Sequence, residues 1–198
     1  MHRRDYYYQK AKEENYRSRA AYKLLQTISK YNFMKPRDIV VDLGAAPGGW
    51  LQVASKTVGE QGIVLGIDLK QIEPLTESNI CTLVDDITKP EIISQIQEIL
   101  SRPADVVTSD VSQNLSGVWE LDHARQIDLA RQSLQIALKV LRVGGNFFVK
   151  TFQGGMILDF VSEVKRHFSR VEIVKPKASR MRSAEIYILG LRLKAKLP

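Results

Sequence analysis

Apolar positions along this chain form short runs and helical stripes that alternate almost to its end. Between residues 17 and 31, Ala20, Leu24 and Ile28, with Ala21 and Leu25, recur at the spacing of one helix face. After Pro36 the run IVVDL (39–43) reads as a buried strand. Pro47 suits the first turn of a helix, where its missing N–H would have no partner anyway. Trp50, Leu51, Val53 and Ala54 continue that helix, and Gly59 and Gly62 close it. Strands are predicted at 63–68, 79–86 and 104–110, with an amphipathic helix at 91–100. A long helix over about 121–141 carries Ile127, Ala130, Leu134, Ala137 and Leu141 on one stripe, and Gly144 and Gly145 are expected to end it. A strand at 146–152, a helix near 155–168 and strands at 170–175 and 184–193 complete the pattern. Such alternation predicts an α/β fold: a mostly parallel sheet with helices on both faces. The last two strands have only a turn-sized spacer between them, so they read as an antiparallel hairpin at one edge.

No internal repeat or low-complexity linker interrupts the pattern, and 198 residues fit one domain with a full core. A single domain is therefore expected over 1–198, with 1–14 a basic, aromatic arm for which a disordered polar tail is the plainer alternative. No apolar run approaches the roughly 18 residues of a membrane span. The opening MHRRDYYYQK lacks the apolar core of a leader, so a cytoplasmic protein without a membrane partner is expected. Cys81 has no second cysteine to pair with and lies in the apolar run NICTLV, where a buried position is expected. His2, His123 and His167 have no ligand spacing, so no metal is assigned. His167, near a helix C-terminus, is expected to complement the helix dipole.

Charge changes the picture. The net charge is +7, yet residues 1–37 hold ten Lys/Arg against three Asp/Glu and residues 165–198 hold ten against two. The middle is acidic. If the two ends meet in space, they form a positive surface suited to a polyphosphate backbone. The N-terminal cations are interleaved with Tyr6, Tyr7, Tyr8 and Tyr16, which can stack on unpaired bases. Lys175, Lys177, Arg180 and Arg182 precede Glu185 closely.

Candidate chemistry starts at VVDLGAAPGGW (40–50). Gly44, Ala46 and Gly49 make G-x-A-x-x-G after a strand and before a helix, and Asp68 ends the next strand 19 residues after Gly49. Small residues let the backbone approach a ligand closely. Asp68 can accept from vicinal ribose hydroxyls, which also suits a dinucleotide. No Lys-Ser or Lys-Thr pair follows, so this is no nucleoside triphosphate loop. Asp86, with Asp85 as a substitute, ends the third strand, where an adenine amino group can be held. Asp42 lies beneath the turn and Asp110 ends the fourth strand. An acidic surround favours a cationic ligand over a pyrophosphate, hence S-adenosylmethionine over NAD.

VDLGAAPGGW, SDVSQNLSG, FFVKTFQG and SAEIYILG, in this order and spacing, resemble the FtsJ/RrmJ family of RNA ribose 2′-O-methyltransferases over about residues 15–190. The resemblance implies a class I S-adenosylmethionine-dependent methyltransferase (Rossmann-like) fold, with a seven-stranded sheet whose last hairpin strand is antiparallel. It implies a catalytic set of Lys23, Asp110, Lys150 and Glu185. It also implies a cofactor pocket containing Gly48, Trp50, Asp68, Asp86 and Asp110, beside the Gly44 and Gly49 read from the turn. The implied substrate is a uridine in the aminoacyl-tRNA-binding loop of large-subunit ribosomal RNA and not DNA, whether as naked RNA or within the large subunit, and a monomer is expected. Relatives acting on tRNA are the nearer alternative. One departure stands out: the family's fourth motif reads Asp-Met-Ala-Pro-Asn, and here it is Asp110-Val111-Ser112-Gln113-Asn114.

The residues support this independently. In a parallel sheet the carboxyl ends of the strands share one rim, where ligands bind. Asp110 and Lys150 reach it from strand ends, Glu185 from the start of an antiparallel strand, and Lys23 from the N-terminal helix. Lys150 is expected to take or steer the proton of the attacking 2′-hydroxyl. A nicotinamide oxidoreductase would explain Asp68 but not the two lysines. A non-catalytic RNA-binding protein would not need all four tetrad side chains.

Overall fold

The computed structural model describes residues 3–180 and 182–195. The elements run α1 (Arg3–Glu13), α2 (Ala21–Tyr31), β1 (Ile39–Leu43), α3 (Gly49–Val58), β2 (Ile63–Asp68), β3 (Ile80–Val84) and α4 (Ile92–Ile99). They continue with β4 (Ala104–Ser109), α5 (Trp119–Val140), β5 (Leu141–Phe152), α6 (Ile157–His167), β6 (Phe168–Val174) and β7 (Glu185–Leu193). The strands form one sheet in the order β3-β2-β1-β4-β5-β7-β6. Neighbours from β3 to β5 pair in parallel, while β7 runs antiparallel to both β5 and β6. No helix among the described residues is long and apolar enough to cross a membrane.

Strand alternation sends successive side chains to opposite faces. Val41, Leu65, Val107, Phe147 and Ile188 pack on one face with the apolar stripes of α4, α5 and α6. Val40, Val64, Val106, Phe148 and Tyr187 pack on the other with α2 and α3. A small third cluster, Ala11, Tyr22 and Ala178, joins α1 to α2 and to the loop after β6. That cluster is why residues 3–13 form a docked helix and not the disordered tail that their polarity allowed; His2 lies outside the described residues.

Three local expectations are corrected. The helix after the glycine turn begins at Gly49 and not at Pro47, because Gly48 at φ +107° holds the chain out of helical geometry. Gly144 and Gly145 do not separate α5 from a later strand. The strand already begins at Leu141, and the two glycines lie where the β4–β5 register shifts, with Gly144 at φ +83°. Two glycines between a helical stripe and a strand mark a bulge as readily as a helix end. Cys81 is exposed, not buried, because β3 is the outermost strand of the sheet.

Trp50 is 3% exposed. Its ring stacks on Phe148 at 5.5 Å and its Nε1–H donates to the Ala20 carbonyl at 2.9 Å. The residue expected in the cofactor pocket therefore presents its indole to the core, locking α3 to α2 and the sheet. Trp50→Ala is expected to lower unfolding free energy by about 3–5 kcal/mol, read from urea denaturation, whereas Trp50→Phe should lose far less.

Candidate active site

β1 ends at Leu43 and the chain turns sharply. Gly44 and Ala45 both donate backbone N–H to the Ile67 carbonyl, and Gly48 donates to Ala45. Gly44 sits at φ +74°, and a Cβ there would lie 2.8–2.9 Å from Val111. Only glycine allows this turn to press against the β4 loop. Ser18 packs directly on Gly49, and Arg17 donates to the carbonyls of Pro47, Glu73 and Pro74, tying the turn to the loop after β2.

Asp68, at the end of β2, accepts from the Ala46 N–H through Oδ2 and from the Lys70 N–H through Oδ1, both at 2.9 Å. A carboxylate offers about four acceptor sites, so the side chain is oriented at the turn with capacity for a vicinal diol. Asp86 accepts from the N–H and hydroxyl of Thr88 through Oδ1. Asp85 is held by Lys89 at 2.6 Å, so of this pair Asp86 is the better placed to meet a ligand. Asp42 is buried below the turn. The Thr108 hydroxyl donates to its Oδ1 at 2.6 Å, while its buried Oδ2 has no hydrogen-bond partner. Burial, with repulsion from Asp110 and Asp68, raises its carboxyl to about 8.

Lys23, Asp110, Lys150 and Glu185 come together at the rim. Lys150 is 5% exposed; its Nζ donates to the Asp110 carbonyl at 2.6 Å and lies 3.3 Å from Asp110 Oδ1. Lys23 Nζ reaches both oxygens of Glu185 at 2.8 Å. Ser179 donates its hydroxyl to Glu185 Oε1 at 3.0 Å. Between the two pairs stands the buried Tyr187. Its hydroxyl donates to Asp110 Oδ1 at 2.9 Å, and Lys23 Nζ lies 5.7 Å from its ring centre. Burial, then Asp110 and Glu185, raise its hydroxyl well above its ordinary value, which keeps it a donor. The available signal was alternation: Glu185 and Tyr187 are two apart on one strand and share a face.

The residue replacing the family's proline has a definite role. Gln113 donates its side-chain N–H to the Asp122 carbonyl at 2.6 Å, and the Asp122 carboxylate accepts from the N–H groups of Ser116 and Gly117. Gln126 donates to the carbonyls of Val111 and Lys150. Side-chain bonds thus hold the loop where a proline ring would have restricted it.

The two basic ends do meet. Gln26 Oε1 accepts from the Ala178 N–H at 3.0 Å and Arg19 donates to the Ala178 carbonyl at 2.7 Å. They border the rim, and Arg17 of the N-terminal end also reaches the glycine turn.

A sheet of this order, with a carboxylate-lined glycine turn and paired lysines and carboxylates at one rim, defines a Rossmann-like methyltransferase. The profile of the FtsJ-like methyltransferases matches residues 16–193, and the chain belongs to that family. It is 55% identical over 190 residues to a ribosomal RNA large subunit methyltransferase E of Methanothrix thermoacetophila, covering 96% of this chain and 73% of that protein. It is 48% identical over 197 residues to the protein of the same name from Methanocaldococcus jannaschii, covering 98% and 80%. The crystal structure of a ribosomal RNA methyltransferase from Plasmodium falciparum matches with a TM-score of 0.81 at 28% identity, over 91% of this chain and all of that one.

Asp42 yields a pH prediction. An unfolded aspartate titrates near 4, and the folded one near 8. Between these values the native state holds a proton that the unfolded chain has released, so stability falls as pH rises, by at most about 1.4 kcal/mol per pH unit. Asp42→Asn removes this linkage. Relative to the wild type, the variant should gain at least about 1 kcal/mol between about pH 5 and pH 8 in urea unfolding, and a constant difference would refute the assignment.

Proposed function

We propose that the chain transfers the methyl group of S-adenosylmethionine to a ribose 2′-hydroxyl of large-subunit ribosomal RNA, at a uridine of the aminoacyl-tRNA-binding loop. The observation that carries this reading is the buried Lys150–Asp110 contact beside the Lys23–Glu185 pair, at the same rim as the glycine turn. The relatives, each named as a ribosomal RNA methyltransferase, support the substrate. A ribosomal substrate also suits a cytoplasmic protein.

The residues at the turn fit the cofactor. Asp68 has acceptor capacity for the ribose diol, and Asp86 lies where the adenine edge would be met. Asp68 and Asp110, close to the turn, make the pocket favour a cation over a pyrophosphate. When bound, S-adenosylmethionine supplies a methyl group on a sulfonium, already a good electrophile. The protein's contribution is then alignment and exclusion of water. Lys150, using Nζ as a donor to Asp110, directs a further N–H at the 2′-oxygen and turns its lone pair toward the methyl carbon. The Asp110 carboxylate, in contact with Nζ, receives the hydroxyl proton. Glu185 holds Lys23 against the acceptor ribose and its phosphate.

Lys150→Ala is expected to lower turnover by about 10²-fold or more in a tritiated methyl transfer assay, with S-adenosylmethionine affinity unchanged by calorimetry. Lys150→Arg should keep part of the activity, because orientation needs a donor and not a base. Near-normal turnover in Lys150→Ala would end the mechanism. Binding of NAD in place of S-adenosylmethionine would end the functional reading. Ribose-methylation mapping in RNA from cells lacking the protein tests the target nucleotide.

A further inference from the structure

A groove of about 770 Å³ runs between α1, α2 and the chain after β6, apart from the glycine turn. Tyr6 and Tyr7 of α1 and Tyr22 and Tyr31 of α2 contribute its rings, while Lys30 and Lys177 stand exposed on its margins. Tyr6 is 51% exposed and meets Tyr7 edge-on at 5.2 Å, and Tyr7 meets Tyr22 at 5.3 Å. The acid in the lining, Glu14, is engaged by the Tyr22 hydroxyl at 2.8 Å and by Lys10 at 3.6 Å. The groove therefore presents the half-exposed ring of Tyr6, backed by Tyr7 and Tyr22, with lysine charge at its edge.

Gln26 joins two of its walls. Gln26 donates to the Tyr7 hydroxyl at 2.9 Å and accepts from the Ala178 N–H at 3.0 Å, joining α1 to the loop after β6. That loop continues directly into the chemistry, because Ser179 holds Glu185. Lys23 precedes Gln26 by about one turn of the same helix, roughly 5 Å along its axis. Register agrees: Val174, which lines the groove, pairs with Tyr187. α1 itself is polar on nearly all sides, and Ala11 is its buried apolar residue. Packing accounts for Tyr7, which lies against the Ala11–Tyr22–Ala178 cluster, and leaves Tyr6 and Tyr8 about half exposed.

We infer that this groove receives the unpaired base of a nucleotide neighbouring the methyl acceptor, stacked on the tyrosine rings with its phosphates on Lys30 and Lys177. The inference rests on the RNA reading above and deepens it. Rings suit any base face, and ammonium groups suit phosphates, so the groove contributes grip on a single-stranded segment and not base identity. A base parked here anchors the strand one side of the tetrad, which helps hold the acceptor hydroxyl still during the reaction.

The test uses the full chain and a single-stranded RNA oligonucleotide carrying 2-aminopurine, followed by anisotropy and by quenching of the fluorescent base. Tyr6→Ala should weaken RNA binding about 5- to 100-fold and lose the quench. Tyr6→Phe should keep both, because the ring remains. Lys177→Ala should lower the slope of log affinity against log salt by about one. S-adenosylmethionine affinity should not change in any of the three. If the wild type methylates RNA while Tyr6→Ala keeps full affinity and quench, the groove assignment falls and the proposed function stands. If the wild type binds no RNA, both fall. Competition by polyglutamate as effective as by RNA would identify an acidic peptide as the occupant and overturn the inference.

Discussion

The site depends on the pairing of β7 against β5. In an antiparallel pair, residues directly opposite share a face. Lys150 is therefore forced beside Tyr187, and Glu185, two residues earlier on β7, is carried to the same face at the rim. A buried ammonium costs several kcal/mol unless its donors are met. Here the Asp110 carbonyl and carboxylate meet them, and Tyr187 orients that carboxylate from below. Each group in the set is satisfied by another member of it. A change at one position leaves a second charge unpaired, so the set should behave as a unit and not as separable contributions.

Charge is sorted radially. Asp42, Asp68 and Asp110 converge on the glycine turn, where burial first, and then repulsion from Asp110 and Asp68, raises the Asp42 carboxyl. The basic ends lie outside this, joined through Gln26, Arg19 and the Ala178 backbone. A cationic small ligand and a polyanionic macromolecule are thereby drawn to adjoining but distinct places. The overall charge of +7 conceals this arrangement, because it is the sum of two opposed regions.

Legibility differed by residue. The strand–helix alternation, the turn at Gly44 and the convergence of Lys23, Asp110, Lys150 and Glu185 could be read because each rests on local spacing or on a motif. The place of Trp50 beside the glycine turn says nothing about where its indole ring points; the ring lies in the core. Cys81 misled because an apolar run does not reveal whether its strand is central or outermost. At Gln113 the sequence shows only that the family's proline is absent; the bond to Asp122 that holds the loop is set by the fold. Nothing in the sequence marks Tyr187 apart from its apolar run, because an aromatic ring there is ordinarily core.

Sequence alone determined the order of elements, the glycine turn and the identities of the charged groups, because these follow from periodicity, backbone sterics and side-chain chemistry within a few residues. Tertiary structure alone decided which charges face one another, that a polar N-terminal helix folds back to wall a groove, and that Tyr187 joins the two halves of the tetrad. Those relations span separations such as the 162 residues between Lys23 and Glu185, and only the crossing of strands and the docking of helices sets them.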